Sequence, residues 1–510
     1  MKVIIIFSLL FSFCKINSQE ILKDSLAINY SVSPINETPK LKSALLKLQK
    51  IHENKIKNNY SSGDSIFTII HIGDSHIQGD YFSGQIRKQL QYYFGNGGRG
   101  ILFPYALAKS FGPRATILKT NKKWTGVKIL TPDLSNKLGL IGYAAFTNDS
   151  NSSVTLTFNE NFEGSPFKKI NIWHSSDLES YSFKLNNELK FLESKLISSG
   201  WGVSSFYTNT SCNNFSLFPF KTSNKQNHFG FYGFELISDI KYGVNYHHCG
   251  VVGAQFTHFI NNAPWSVEQI VHLNPDIIIF SFGTNEAYND DLDTSYYKSL
   301  IVKFMQDLEF ASPKTAFIFT TAPDTRSQNR IPSNQTIVNS ILKRISNNSN
   351  YSIFDLNQSM GGWGSIHSWS KKGLTLKDKL HFTPQGYSLQ GDIFILSLIE
   401  TYNKINFNDT ININQIRIMV KDSMAVLIRS SENDSLINIL PVDKKKHSLV
   451  SKNSKNIIHF VKKGDTITKL SRIYKISQKV IFRTNHLNKK SILKIGDKII
   501  ITKQELSNLN

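Results

Sequence analysis

Residues 68–86 read "TIIHIGDSHIQGDYFSGQI", a short apolar run that breaks at Gly73 into Asp74, Ser75 and His76. An apolar run of this length bounded by a glycine predicts a strand buried on both faces, as in a parallel sheet. The loops at the strand ends of such a sheet converge on one crevice, so a serine placed there is well sited for chemistry. Taken alone, the cluster fits three roles: a helix cap from Asp74 or Ser75, a metal-ligand pair from Asp74 and His76, or a nucleophile at Ser75.

The rest of the chain extends the strand reading. Further apolar runs stand at "YGVNYHHCGV", "DIIIFSFG" from Asp276, "TAFIFTTA" from Thr315 and "YSIFDL" from Tyr351. Amphipathic helices lie between them, such as "SYYKSLIVKFMQDLEF", where Leu300, Ile301, Phe304, Met305 and Leu308 form one stripe. Apolar strands alternating with helices predict an α/β layer structure with a parallel sheet covered on both faces. A lead-in helix is expected within residues 19–63, with Leu45, Leu46, Leu48 and Ile51 on one face.

Residues 113–240 have a different texture. "SSVTLTFNE", "FKKINIWHSS" and "SYSFKLNNE" alternate apolar and polar residues with period two between turn-rich stretches. They predict an inserted antiparallel β domain, sandwich-like, between a first part of the α/β domain at 64–112 and a second at 241–402. Trp124, Trp173 and Trp201 are expected to fill its core rather than line a sugar-stacking face. "GGRGILFPYALAKSFGP", from Gly97, is read either as a wall of the site or as a hinge into the insert.

The 510 residues are 40% hydrophobic and 19% charged, with 35 Phe, which argues for packed domains and against disorder. The formal charge of +21 comes with Lys abundant everywhere and no Arg-rich arm, so it is read first as compositional bias and second as a sign of an anionic partner such as cell wall, and not as a nucleic-acid signal. "MKVIIIFSLLFSFCKINSQE" has the form of a secretory signal peptide over 1–18; Phe11 and Phe13 speak against a lipid anchor on Cys14. The expected location is the periplasm or cell envelope, with no stable membrane insertion. Cys212 and Cys249 are the remaining cysteines and could form one disulfide.

Nucleophilic catalysis by Ser75 requires a base, a group that orients it, and donors for an oxyanion. Asp378 stands three residues before His381 in "DKLH"; Asn285 follows a strand in "GTNE"; Gly253 in "GVVGA" has a backbone N–H that no Cβ obstructs. On these four blocks the chain resembles the SGNH (GDSL-type) hydrolase family. The resemblance implies a three-layer α/β/α flavodoxin-like fold, with Ser75 as nucleophile, Asp378 and His381 completing a triad, and the Ser75 N–H, Gly253 and Asn285 as oxyanion donors. It implies no cofactor and no metal. His76 stands where the family has Leu, as in a branch acting on O-acetylated cell-wall polysaccharide, which also carries a β insert.

A rival from the same motif is a metallophosphoesterase using Asp74 and His76. It lacks the further ligands, since Asn285 stands where that site needs His and no "GHxH" follows. His71, His247 and His248 are read as strand or surface histidines.

After a linker at 403–456, residues 457–503 resemble LysM, a βααβ module that binds N-acetylglucosamine-containing glycans. The matching stretches are "VKKGDTITKLSRIYKIS", "NHLN" and "LKIGDKIII", with Ile467, Leu470 and Ile473 facing inward. The resemblance places the glycan groove near Gly464, Asp465, Thr466, Asn485 and Leu487. The unit holds 12 Lys and Arg against two Asp.

Together these readings predict an exported serine esterase that removes O-acetyl groups from peptidoglycan. The alternatives are an O-acetyltransferase of the same fold, an esterase acting on another polysaccharide such as xylan or on lipid, and a non-catalytic peptidoglycan-binding protein.

Overall fold

The computed structural model describes residues 31–412, apart from short breaks at 58–64, 114–115, 131–137, 160–163, 165, 187, 199, 238–241, 328–329 and 406–410. Within 456–502 it leaves out 462–464, 475–477, 486, 488–492 and 494–496. The expected signal peptide, Cys14, Gly464 and nearly all of the linker lie outside the described residues.

Six parallel strands form the first sheet, in the spatial order Ser352–Phe354, Ala316–Thr320, Ile277–Ser281, Ser65–Gly73, Tyr242–Gly250 and Asn96–Gly98. The first strand of the chain lies in the middle and the order turns back on either side of it, so its end is a topological switch point. Side chains alternate between two cores. Phe67, Ile69, Ile277 and Ile279 pack with the helices Pro39–Ile56, Phe82–Phe94 and Pro384–Ile405; Ile70, Ile72, Ile278 and Phe280 pack with Thr294–Ala311 and Gln335–Asn348. Burial on both faces is why these strands read as unbroken apolar runs.

Two details differ from the helical patterns. Leu46 is 39% exposed while Leu41 and Ala44 share the buried face with Leu45, Leu48 and Ile51. In Thr294–Ala311 the buried stripe takes Tyr297 in place of Leu300.

The insert is two antiparallel sheets. One carries Lys190–Ser198, Trp201–Cys212, Phe167–Ser175, Phe229–Ile237, Tyr143–Thr147 and Thr125–Lys128 in that order, with Ile101–Leu102 paired to Phe229–Ile237; the other carries Thr116–Thr120, Val154–Phe158, Asn214–Phe220 and Ser182–Leu185. Phe158 and Phe215 of the second sheet pack against Phe234 of the first. Trp124, Trp173 and Trp201 are buried there, with Trp173 and Trp201 stacked at 5.3 Å and their indole N–H groups donated to Glu235 and Glu268. The stretch from Gly97 crosses between sheets: Asn96–Gly98 edges the parallel sheet and Ile101–Leu102 joins the insert. Cys212 and Cys249 are free and buried, so the possible disulfide is absent.

The C-terminal unit is described by itself. Asn456–Phe460 and Lys498–Thr502 pair antiparallel, the helices Ile467–Tyr474 and Gln478–Thr484 lie between them in sequence, and Val461, Ile467, Leu470, Ile481 and Ile499 form its core. Ile473 has no described side chain. No helix among the described residues is long and apolar enough to cross a membrane.

Candidate active site

Ser75 opens the short helix Ser75–Gln78 immediately beyond the switch-point strand. The turn is tight: a Cβ at Gly73 would lie 2.5 Å from both Ser281 O and Ile77 Cγ1, so only glycine fits. Asp74 caps the helix, its Oδ1 accepting from His76 N at 2.9 Å. A few residues on, the buried Asp80 carboxylate accepts both Arg87 Nη groups at 3.0 and 2.9 Å and a further bond from Arg99, which fixes the exit of the turn. Burial opposes that charge and the two guanidiniums outweigh it, holding Asp80 well below the usual carboxylate range.

The serine meets its partners across 306 residues of chain. Ser75 Oγ lies 3.0 Å from His381 Nε2, and His381 Nδ1 lies 2.8 Å from Asp378 Oδ2. A carboxylate only accepts, so Nδ1 carries the proton and Nε2 is left as the acceptor for the serine hydroxyl. Asp378 Oδ1 also accepts the backbone N–H groups of Leu380 and His381, each at 3.0 Å. Burial pushes the Asp378 carboxyl up, but these donors overcome it and bring it down to about 2.

The three candidate oxyanion donors are tied to one another. Asn285 Nδ2 donates to Ala254 O at 2.8 Å and lies 3.4 Å from Asp74 Oδ2. It thereby touches the neighbour of Gly253 on one side and the neighbour of Ser75 on the other. Gly253 has φ +79°, a conformation that favours glycine, although a Cβ there would meet only Leu130 Cδ1 at 3.4 Å. Glu286 is buried and accepts from Phe256 N at 2.7 Å and Gly283 N at 3.1 Å, holding the short helix Thr284–Ala287 that presents Asn285. Burial raises the Glu286 carboxyl to about 7. Burial likewise raises Asp74, against the His76 amide, and with the Glu286 charge brings it to about 8.

His76 is buried, with Nδ1 2.9 Å from Tyr387 Oη and its ring 5.7 Å from that of His381. Its Nε2 has no hydrogen-bond partner. Burial, then the His381 charge, lower its pKa to about 3, so it is neutral. Among the described residues no three His, Cys, Asp or Glu side chains gather as a metal site requires. His71, His247 and His248 are strand residues, wholly buried and not on the surface; His71 bridges Tyr246 Oη at 2.8 Å and Ser281 Oγ at 2.7 Å.

Three supporting residues carry no signal in sequence spacing. Tyr387 reaches His76 from 311 residues away, Gln78 Oε1 accepts Val252 N at 2.6 Å from 174 away, and Glu286 binds Phe256 N from 30 away. A serine near a histidine can be guessed from an ordered set of motifs; a buried glutamine that links two strand ends cannot.

In the C-terminal unit Asp465 is occupied internally. Its carboxylate lies 2.9 Å from His459 Nε2 and accepts Lys469 Nζ at 3.1 Å. Thr466 Oγ1 caps the helix through Lys469 N at 3.1 Å, Asn485 Nδ2 donates to Ile481 O at 2.9 Å, and Leu487 packs on the core. Among the described members of the set Thr466 is the exposed one.

Residues 459–502 match the family model of the LysM domain. No curated protein matches the chain in sequence. Among solved structures it is similar to a peptidoglycan O-acetylesterase, at 22% identity and a TM-score of 0.58, over 71% of this chain and 96% of that one. Weaker likenesses are to a lipase/acylhydrolase from Enterococcus faecalis, at 16% identity and a TM-score of 0.24 over 32% of this chain and 77% of that one, and to an acetyl xylan esterase, at 14% and 0.26 over 30% and 80%. The larger unit shares its α/β/α fold with that O-acetylesterase and carries a β insert, and residues 459–502 of the smaller unit carry the LysM match.

Proposed function

We propose that this SGNH-fold chain is an exported serine esterase that removes O-acetyl groups from peptidoglycan and is held to glycan by its LysM domain. The observation that carries the reading is the hydrogen-bonded line Ser75 Oγ, His381 Nε2, His381 Nδ1 and Asp378 Oδ2 at the switch point of the sheet. Support for the substrate comes from the fold likeness to a peptidoglycan O-acetylesterase together with the LysM match.

The geometry supports the following course. Ser75 Oγ attacks the acetyl carbonyl while His381 Nε2 takes the hydroxyl proton, and Asp378 stabilises the imidazolium that forms. The tetrahedral oxyanion is received by the N–H groups of Ser75 and Gly253 and by Asn285 Nδ2. Collapse breaks the ester C–O bond, and the departing sugar oxygen takes the proton from His381. Water, deprotonated by the same imidazole, then attacks acetyl-Ser75, releasing acetate and restoring the serine.

Acetate release from O-acetylated peptidoglycan, compared with acetylated xylan and with an added glycan acceptor present, tests this. Ser75→Ala is expected to abolish release while leaving sedimentation with peptidoglycan intact, and removal of residues from 457 onward is expected to do the reverse. Release surviving in Ser75→Ala sinks the mechanism; equal rates on xylan remove the cell-wall assignment; acetyl appearing on the acceptor turns the reading to a transferase.

A further inference from the structure

The chain has six tryptophans, and five of them, Trp124, Trp173, Trp201, Trp265 and Trp369, are buried. Trp363 is 52% exposed. A half-exposed indole forgoes much of the apolar burial that its neighbour Trp369 obtains in full.

The local backbone is built to hold it out. Trp363 sits in "MGGWGS", where Gly361, Gly362 and Gly364 have φ of +109°, +76° and +85°. A Cβ on Gly364 would meet nothing within 4 Å, and one on Gly362 only Gln358 Oε1 at 3.6 Å, so the glycines serve the path of the chain and not its packing. Both flanks are anchored. Trp369 Nε1 donates to Met360 O at 3.0 Å, Gly362 N to Asn357 O at 2.9 Å, and Ile366 N to Asp324 Oδ2 at 2.9 Å.

Those anchors lead to the catalytic turn. Asp324 follows the strand Ala316–Thr320 on the edge of the sheet where Ser75 stands, and two residues on Arg326 N donates to Lys379 O at 2.8 Å. Lys379 lies between Asp378 and His381. The exposed Leu376 gives its N–H to His381 O at 2.8 Å, adding apolar surface beside the histidine. On the same segment the Nε of Arg326 is buried without a hydrogen-bond partner.

We propose that Trp363 is a stacking platform for a hexopyranose of the glycan strand whose ester Ser75 attacks, with the Arg326 guanidinium donating to that sugar's oxygens. The flat C–H face of a pyranose covers an indole face, and its ring hydroxyls and carbonyl substituents accept from a guanidinium. This rests on the esterase reading above and adds the part of the substrate that is held while the ester reacts.

The test uses the full chain and soluble O-acetylated glycan strands. Residues 457–503 contain no Trp, so indole emission reports on the larger unit and not on LysM. In the Ser75→Ala protein, added strands are expected to shift the emission to the blue, and the shift is expected to vanish when Trp363→Phe is added. In the active enzyme, Trp363→Ala is expected to lower the ratio of kcat/KM on the strands to kcat/KM on 4-nitrophenyl acetate about tenfold, with Trp363→Phe recovering part of it. Wild-type acetate release with that ratio unchanged in Trp363→Ala overturns the platform alone. No release from the strands by the wild type overturns the esterase reading, and the platform with it.

Discussion

Asn285 Nδ2 lies 3.4 Å from Asp74 Oδ2, which joins a proposed oxyanion donor to the residue before the proposed nucleophile. The protonation of Asp74 therefore bears on both. Burial raises its carboxyl from 3.8 to about 8, so between those values the folded chain keeps a proton that the unfolded chain has released. Stability drawn from this group falls as pH rises through that window. Asp74→Asn carries no such titration, and its melting temperature minus that of the wild type is expected to move in favour of the variant from pH 5 to pH 8.5. A difference that stays flat counts against a neutral Asp74.

The donors themselves separate by their backbone demands. Asn285→Ala removes one side-chain donor and is expected to lower kcat by about 10²- to 10³-fold with the fold intact. Gly253→Ala keeps its N–H but forces a side chain onto φ +79°, at a cost of about 1–2 kcal/mol. Urea unfolding of the two variants, set beside their rates, checks the contrast: Gly253→Ala should show the larger stability loss and Asn285→Ala the larger rate loss.

Tyr387 and His76 are both buried, and Tyr387 Oη is the neighbour of His76 Nδ1 at 2.9 Å. With His76 Nε2 already unpartnered, Tyr387→Phe leaves the imidazole without a hydrogen bond in the protein interior. The expected loss is about 1–3 kcal/mol of stability, read by urea unfolding. An unchanged midpoint would mean that this hydrogen bond contributes little.

The contrast between what sequence shows and what it conceals is physical. Strands buried on both faces leave unbroken apolar runs, so "TIIHIG" and "DIIIFSF" announce the sheet, while motifs after two strand ends mark Ser75 and Asn285 as candidates and "DKLH" before a helix marks His381. The insert's period-two strands are equally plain, and their alternation put Trp173 and Trp201 inside. Hydrogen bonds between distant segments leave no periodic trace, which hides the contacts of Tyr387, Gln78 and Glu286. The outward Leu46 and inward Ala44 depend on where the helix meets the sheet, which residue type alone does not decide. In LysM, Asp465 matches a motif position, yet its carboxylate is taken up by His459 and Lys469.

Buried histidines make the fold less stable in acid. Burial lowers His71, His76, His247 and His248 to about 3 and His174 to about 4, each from 6.5. A base whose folded pKa lies below its unfolded one supports the fold fully above pH 6.5 and withdraws that support as pH falls toward the folded value. His174 isolates the effect away from Ser75 and His381, with Nδ1 2.7 Å from Ser175 O and Nε2 2.8 Å from Ser204 Oγ. His174→Gln removes the titration along with part of the hydrogen bonding. The variant is expected to melt below the wild type at pH 7.5, with the gap narrowing steadily by pH 4.5. A gap that widens in acid would mean that His174 accepts its proton inside the folded protein.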